Sequence, residues 1–263
     1  MMYEPRVLIG TPIYDKKEYA LETQLRHVRK IDYTNYEQVF FDNSKSDKFY
    51  YKLKEKGLKV VRVPRGRNSR EAVANSMNRM FMYALDNGYD YCLVLENDLY
   101  PDPKIIKRLL SHNKSVVASY YFIGTDKGEA RLQELIKQVK QHEITKEQFS
   151  NETKGLFYKT PCIFVRDVKK ESNFIGTRRL TRREGVSMFR TGLRKVHGAG
   201  LGATLIKRGV MMRFKFYTDS RFKSKHPDVY FYADLEDARV PVYLDTSIVV
   251  PHQPTDWHSV KDR

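Results

Sequence analysis

YCLVLENDLYPDP, residues 91–103, is the stretch that decides the fold. Its first five residues, 91–95, are apolar enough for a strand buried on both faces, and the polar run after them marks where that strand leaves the core. Upstream, RVLIGT (6–11) reads as a short buried strand ended by Pro12. A helix follows, with Tyr19, Leu21, Leu25 and Val28 spaced for one face. EQVFF (37–41) is a second strand leading into the polar loop DNSKSD (42–47), and LKVVRV (58–63) is a third, stopped by Pro64. Residues 69–87 form the clearest helix. Ala72, Val73, Met77, Met80, Phe81 and Ala84 recur at three- and four-residue steps, and Gly88 supplies the stop. Strands alternating with helices predict an α/β chain with a doubly wound, mostly parallel sheet flanked by helices. Ligands of such sheets bind beyond the carboxyl ends of the strands, here residues 11–14, 42–47, 64–70 and 96–100.

The second half is less regular. Residues 116–123 read as a strand, and Leu132, Leu135, Ile136 and Val139 suggest an amphipathic helix. An apolar stretch at 157–165 follows. Residues 166–195 then carry ten Arg or Lys against Asp167, Glu171 and Glu184, which predicts a mobile basic loop or lid. Order returns with HGAGLGATLIKRGV (197–210) and VPVYLDTSIVV (240–250). With no repeat or linker, residues 1–263 read as one domain with a nucleotide-binding half, 1–115, and a smaller mixed region, 116–263.

Lys and Arg outnumber Asp and Glu by 48 to 32, a formal charge of +16, which favours a polyanionic or phosphate-bearing partner. Cys92 and Cys162 lie far apart in apolar runs and read as buried free thiols of a reducing compartment. The start, MMYEPRVLIG, lacks a signal-peptide pattern, and no apolar run reaches the roughly 20 residues that span a bilayer. The expectation is a cytoplasmic protein, at most peripheral at a membrane surface.

Glu96 and Asp98 are separated by one residue, so extended backbone puts both side chains on one side. Two carboxylates there suit a hard divalent cation that bridges protein to phosphate and offsets charge on a departing diphosphate. The plainer alternative is an acidic turn in which Asp98 caps the helix after Pro103.

The order RVLIGTPIYD, VFFDNSKSD, EAVANSMNRMFMYA, DYCLVLENDLYPDP resembles the GT-A glycosyltransferases, in particular the large inverting group called family 2. The match is close through residue 110 and loose thereafter. It implies a GT-A, Rossmann-like fold with an acceptor-side region, a nucleotide-diphosphate-sugar donor with UDP favoured, and a Mn²⁺ or Mg²⁺ cofactor. By the resemblance, Thr11, Pro12 and Tyr14 border the nucleotide, and Asp42 bonds the base or ribose with Asn43 beside it. Asp98 binds the metal; Glu96 contacts the ribose or the metal shell, with Asn97 between them. The sequence has Glu-Asn-Asp where many members have Asp-x-Asp. Arg70 is placed to reach the phosphates.

Further along, GAGLGATLIKR resembles the family's glycine segment, with Gly200 expected to let the backbone approach the donor sugar. Asp228, in HPDVYF, matches the family's catalytic base, with Asp234 second and a plain helix start as the alternative. His252, after the last strand, falls where a late His completes the metal shell; His197 is a lesser candidate and His258 lies in the tail. Arg178, Arg179, Arg182 and Arg183 of the basic segment would close over a diphosphate or grip an anionic acceptor.

Two other functions fit parts of the pattern. A nucleotidyltransferase also uses an α/β sheet and a divalent ion, but TPIYDKK after the first strand lacks a glycine-rich phosphate loop. A non-enzymatic nucleic-acid-binding protein fits the charge, yet no recognition motif appears. Transfer to an anionic acceptor, such as a phospholipid-linked glycan, glycoprotein or nucleic acid, reconciles charge and motif.

Overall fold

The computed structural model describes residues 3–124, 126–153, 160–166, 177–219 and 226–253. Its first half alternates as the hydrophobic pattern demands: β1 (Val7–Ile13), α1 (Leu21–Val28), β2 (Tyr36–Asp42), α2 (Lys48–Glu55), β3 (Val60–Arg62), α3 (Ser69–Asp86) and β4 (Tyr91–Leu95). A 3-10 turn, Asp15–Ala20, joins β1 to α1. The second half adds α4 (Ile105–Ser111), β5 (Val116–Tyr120), β6 (Phe122–Ile123), α5 (Asp126–Lys140), α6 (Lys146–Thr153), β7 (Thr160–Pro161), β8 (Ile163–Arg166), β9 (Thr177–Arg179) and α7 (Arg182–Met188). β10 (Leu193–Val196), β11 (Gly198–Ala199), β12 (Ala203–Lys207), α8 (Arg208–Met211), α9 (Pro227–Asp237) and β13 (Val242–Val249) complete it.

The main sheet has eight strands in the order β10-β13-β5-β12-β4-β1-β2-β3, with β12 antiparallel to both neighbours and β10 antiparallel to β13. The other pairings are parallel, giving the mostly parallel α/β sheet expected. Successive residues of a central strand enter opposite clusters. Leu8, Cys92 and Val94 join the face covered by Met77, Met80, Phe81 and Ala84 of α3, while Val7, Ile9, Leu93 and Leu95 join the face covered by Ile105, Ile106 and Leu109 of α4. Two covered faces leave no polar phase, which is why YCLVL runs unbroken.

Several boundaries differ from expectation. β1 continues through Pro12 to Ile13, because β4 pairs β1 only as far as Gly10 and a residue without an N–H is tolerated beyond that point. The stretch 116–123 is two strands, and α2 fills what pattern reading left blank after the DNSKSD loop. The basic stretch 166–195 is corrected where it is described: it contains β9, α7 and the start of β10. Thr181 and Glu184 form a reciprocal capping box that starts α7, and the Tyr120 hydroxyl donates to the Gly185 carbonyl, fastening that helix to the sheet.

Topology concentrates loops at one edge. The carboxyl ends of β1, β2, β3, β4, β5 and β13 share it, and antiparallel β12 contributes its start, since Ala203 pairs Leu95.

Candidate active site

At that edge β4 hands over to Glu96, Asn97 and Asp98 in a tight turn, closed by the Leu99 N–H on the Glu96 carbonyl at 3.1 Å. The segment after β13 is laced to it: Leu99 bridges His252, Tyr100 N–H donates to Pro251, and Gln253 N–H donates to Asp98 at 2.9 Å. Asp98 is therefore buried, and its carboxylate is surrounded. Lys17 Nζ lies 3.0 Å from each of its oxygens, the Tyr19 hydroxyl donates at 3.4 Å, and His252 Nε2 stands 3.2 Å away. Burial alone would raise this acid, but Lys17 and His252 outweigh it and hold Asp98 well below the usual carboxylate range. Lys17 also reaches Glu96, 3.5 Å away. Burial works against its charge, and the two carboxylates overcome it, so Lys17 is raised. The expected alternative role of Asp98 as a helix cap is not what it does. Asp102 accepts from Lys104 N–H at the start of α4 instead.

Asp98 and His252 are donor types that a hard divalent ion accepts. His252 Nδ1 lies 3.0 Å from the Phe122 carbonyl and its Nε2 3.2 Å from Asp98 Oδ2, so the ring stands between β6 and the acidic turn. Asn97 Oδ1 is a buried acceptor with no partner among the described residues. Among those residues no three acidic, imidazole or thiol groups converge as a preformed metal cluster. The arrangement is the Asp98–His252 pair, with Lys17 joining Asp98 to Glu96.

Several residues expected to border a nucleotide already bond within the protein. Thr11 is fully buried, and its Oγ1 accepts from Gln38 Nε2 at 3.1 Å and Gln24 Nε2 at 3.4 Å, so it braces the sheet. Asp42 is also fully buried. Its Oδ1 accepts from Ser44 N–H and hydroxyl at 3.0 and 2.5 Å, and its Oδ2 pairs Arg62 at 3.2 Å. Arg62 further donates to the Ser44 carbonyl and to Asp47. Asp42 thus shapes the loop, with its carboxylate already engaged, and burial raises its pKa. Asn43 turns inward and donates to Ser76 on α3 at 2.9 Å. Pro12 and Tyr14 stay half-buried at the edge, with the Arg65 guanidinium 5.5 Å above the Tyr14 ring. Arg70 sits at the start of α3, its Nε buried with no partner among the described residues.

Around Gly200 the space is filled by the protein's own side chains. A Cβ there would overlap the Tyr121 hydroxyl and lie 2.8 Å from Cys162 Sγ; at Gly202 it would come 3.2 Å from the Glu96 carboxyl carbon. The glycines let Tyr121 lie under the acidic turn, where its hydroxyl accepts the Gly202 N–H and the Gly202 carbonyl accepts the Glu96 N–H at 2.7 Å. Cys162 is buried and its thiol is pushed up to about 12, so it is inert packing.

Asp228 opens α9 after Pro227, as a helix start does. Burial raises it, with His226 and Arg179 pulling it back and Glu96 adding to the rise, which places it within electrostatic reach of the acidic turn. Asp234 is not brought there: its carboxylate accepts from Tyr217 at 3.1 Å. His197 faces Glu236 at 3.6 Å, and His258 lies outside the described residues. Arg178 is gripped by Glu184 through two bonds of 2.6 and 2.7 Å, while Arg183 is exposed.

The model described as Glycosyl transferase family 2 matches residues 8–187, most of the chain. The chain belongs to glycosyl transferase family 2. The match takes in Lys17, Glu96 and Asp98 but ends before Gly200, Asp228 and His252. Among solved structures, Staphylococcus aureus TarS 1–349 in complex with UDP-GlcNAc aligns with a TM-score of 0.54 at 12% identity, over 98% of this chain and 61% of that one. The same protein in complex with UDP aligns at 0.51 and 13%, over 93% and 57%. Mycobacterium tuberculosis glucosyl-3-phosphoglycerate synthase, bound to phosphoglyceric acid, gives 0.49 and 12%, over 97% and 75%. The TarS alignments establish a shared GT-A fold. The chain spans about three-fifths of TarS 1–349. A search of the curated proteins returned no match.

Sequence reasoning missed Lys17, Arg62 and Tyr121. Lys17 lies in DKK just past the first strand, and Arg62 closes LKVVRV; a cation at a strand's carboxyl end was the only available signal.

Proposed function

We propose that this family 2 member transfers a sugar from a UDP-sugar to an acceptor hydroxyl, with inversion, and uses a divalent cation. The observation that carries the reading is that Asp228, at the start of α9, is buried within electrostatic reach of Glu96, in the turn after β4. The acceptor oxygen attacks the anomeric carbon and the bond from that carbon to the diphosphate oxygen breaks, while Asp228 takes the acceptor proton. One displacement inverts the centre. A raised Asp228 is a stronger base than an ordinary carboxylate, which suits that step.

Asp98 and His252, with Glu96 once it is released from Lys17, would hold Mn²⁺ or Mg²⁺, which when bound supplies counter-charge for the leaving diphosphate. Asn97 fixes the turn, Tyr14 and Arg65 border the nucleotide, and Arg70 approaches the phosphates. UDP is favoured by the nucleotides in the TarS complexes. The formal charge of +16 favours an anionic acceptor, and no described helix is long and apolar enough to cross a membrane.

Calorimetric titration with nucleoside diphosphates, with and without Mn²⁺, tests the reading on wild type and Asp98→Ala. UDP binding that strengthens with Mn²⁺ and weakens in the variant supports it. Failure of every diphosphate to bind, with salt-sensitive binding of nucleic acid instead, overturns it.

A further inference from the structure

Lys17 is held to the acidic turn at both ends. Its ammonium lies 3.0 Å from each Asp98 oxygen and 3.5 Å from Glu96, and its carbonyl accepts the Asn97 amide at 2.6 Å. The side chain is only 12% exposed, so this is an interior contact. A divalent ion bound by the same pair needs the lone pairs that the ammonium occupies. It would also bring a second positive centre within a few ångströms in a medium that screens poorly.

We propose that Lys17 and the divalent cation are alternative occupants of the Glu96–Asp98 pair, and that the donor diphosphate admits the ion by giving the ammonium another anionic partner. The four-carbon stem of a lysine lets a point charge swing between partners without moving the backbone. The inference rests on the reading that a nucleotide diphosphate binds this edge. It adds that the protein's own cation keeps the metal out until the donor arrives. By linkage, whatever factor the diphosphate adds to metal affinity, the metal adds to diphosphate affinity.

The test is free-Mn²⁺ titration by electron paramagnetic resonance, with and without UDP, on wild type, Lys17→Met, Lys17→Arg and Asp98→Asn. Wild type without UDP should bind Mn²⁺ at least tenfold more weakly than with UDP. Lys17→Met should bind it at least tenfold more tightly than wild type in the absence of UDP, and lose most of the UDP dependence. Lys17→Arg, which keeps the charge, should stay weak, and Asp98→Asn should bind poorly throughout. Equal Mn²⁺ affinity in wild type and Lys17→Met, or no Mn²⁺ binding by either, overturns the proposal. UDP affinity measured on the same samples without metal shows separately whether the donor reading stands.

If Lys17→Met does not fold, wild type labelled at lysine side-chain nitrogens is titrated with Mg²⁺ in the presence of UDP. A displaced Lys17 resonance supports exchange; Mg²⁺ binding that leaves it unmoved overturns it.

Discussion

A single methyl added at Gly200 perturbs the packing that supports the acidic turn. A Cβ at this position overlaps the Tyr121 hydroxyl and lies 2.6 Å from Tyr121 Cζ and 2.8 Å from Cys162 Sγ. Unstrained carbon contacts lie at about 3.5–4.0 Å, so the ring must retreat by roughly 1 Å. It has little room. Tyr121 is 6% exposed, accepts the Gly202 N–H, and faces the His252 ring with centroids 6.3 Å apart. Overpacking in such a place costs about 3 kcal/mol, the top of its usual range, and losing the Gly202 bond adds about 1 kcal/mol. At roughly 2 °C per kcal/mol for a chain of this size, Gly200→Ala should melt some 6–8 °C below wild type by scanning calorimetry. Tyr121→Phe removes the overlapping oxygen but leaves Cζ close, so the double variant should recover part of the loss, with a coupling on the order of 1 kcal/mol. The Gly202 carbonyl also accepts the Glu96 N–H, so UDP affinity should fall along with stability. A melting point within about 1 °C of wild type, or no coupling to Tyr121→Phe, would refute the account.

Asp228→Asn should lower kcat by about 10²–10⁴ while leaving UDP affinity near wild type, because the group acts on the acceptor proton; weakened UDP binding with kcat intact would reverse the assignment. Burial raises Asp228, so the acid limb of the wild-type kcat/KM profile should fall above 3.8, the ordinary value of its side chain, and activity should rise with pH through it. Arg62→Met strands the fully buried Asp42, at a cost near the lower end of the roughly 3–5 kcal/mol typical of a broken buried pair, since Arg62 itself is 29% exposed. Its urea midpoint should drop, and adding Asp42→Asn should restore most of it; an unchanged midpoint in Arg62→Met removes the argument. Asp98 is held below its ordinary 3.8, so its stabilisation is complete above that pH and is lost as pH falls further. Wild type should therefore lose melting temperature faster than Asp98→Asn below about pH 4, and parallel curves would count against the buried pair.

The parallel core was legible because both faces of its strands are covered, so apolar runs such as YCLVL and the three- and four-residue spacing in α3 register directly as burial. The acidic turn was legible because a charged run at the end of a buried strand has one place to go. What local pattern did not supply was the partners of individual polar side chains. Thr11 and Asp42 sit in the positions the resemblance names, and Gln38, Gln24, Ser44 and Arg62 tie them into the scaffold. Gly200 was read as room for a ligand, and Tyr121, 79 positions earlier in the chain, fills that room. The span 166–195 carried too many cations to suggest order, but a capping box and the Arg178–Glu184 pair fold part of it. In each case the missing information was a contact across the chain, which local pattern does not contain.

The same distinction resolves an apparent conflict in the electrostatics. A chain with a charge of +16 attracts anions, yet the proposed donor must approach a turn bearing two carboxylates. The two effects act over different distances. At physiological ionic strength the field of the whole molecule reaches about 8 Å into solution and raises the local concentration of a diphosphate at any basic face. Within the site, the contact charges of Glu96 and Asp98 decide the outcome, and they repel a phosphate unless a cation stands between. Lys17 already stands there, 3.0 Å from one carboxylate and 3.5 Å from the other. Net charge therefore bears on how fast a donor arrives, whereas the occupant of the acidic pair bears on whether it stays. Raising salt should slow UDP association while leaving its dissociation rate nearly constant; a salt-dependent dissociation rate would place surface charge, and not the Glu96–Asp98 pair, in control of retention.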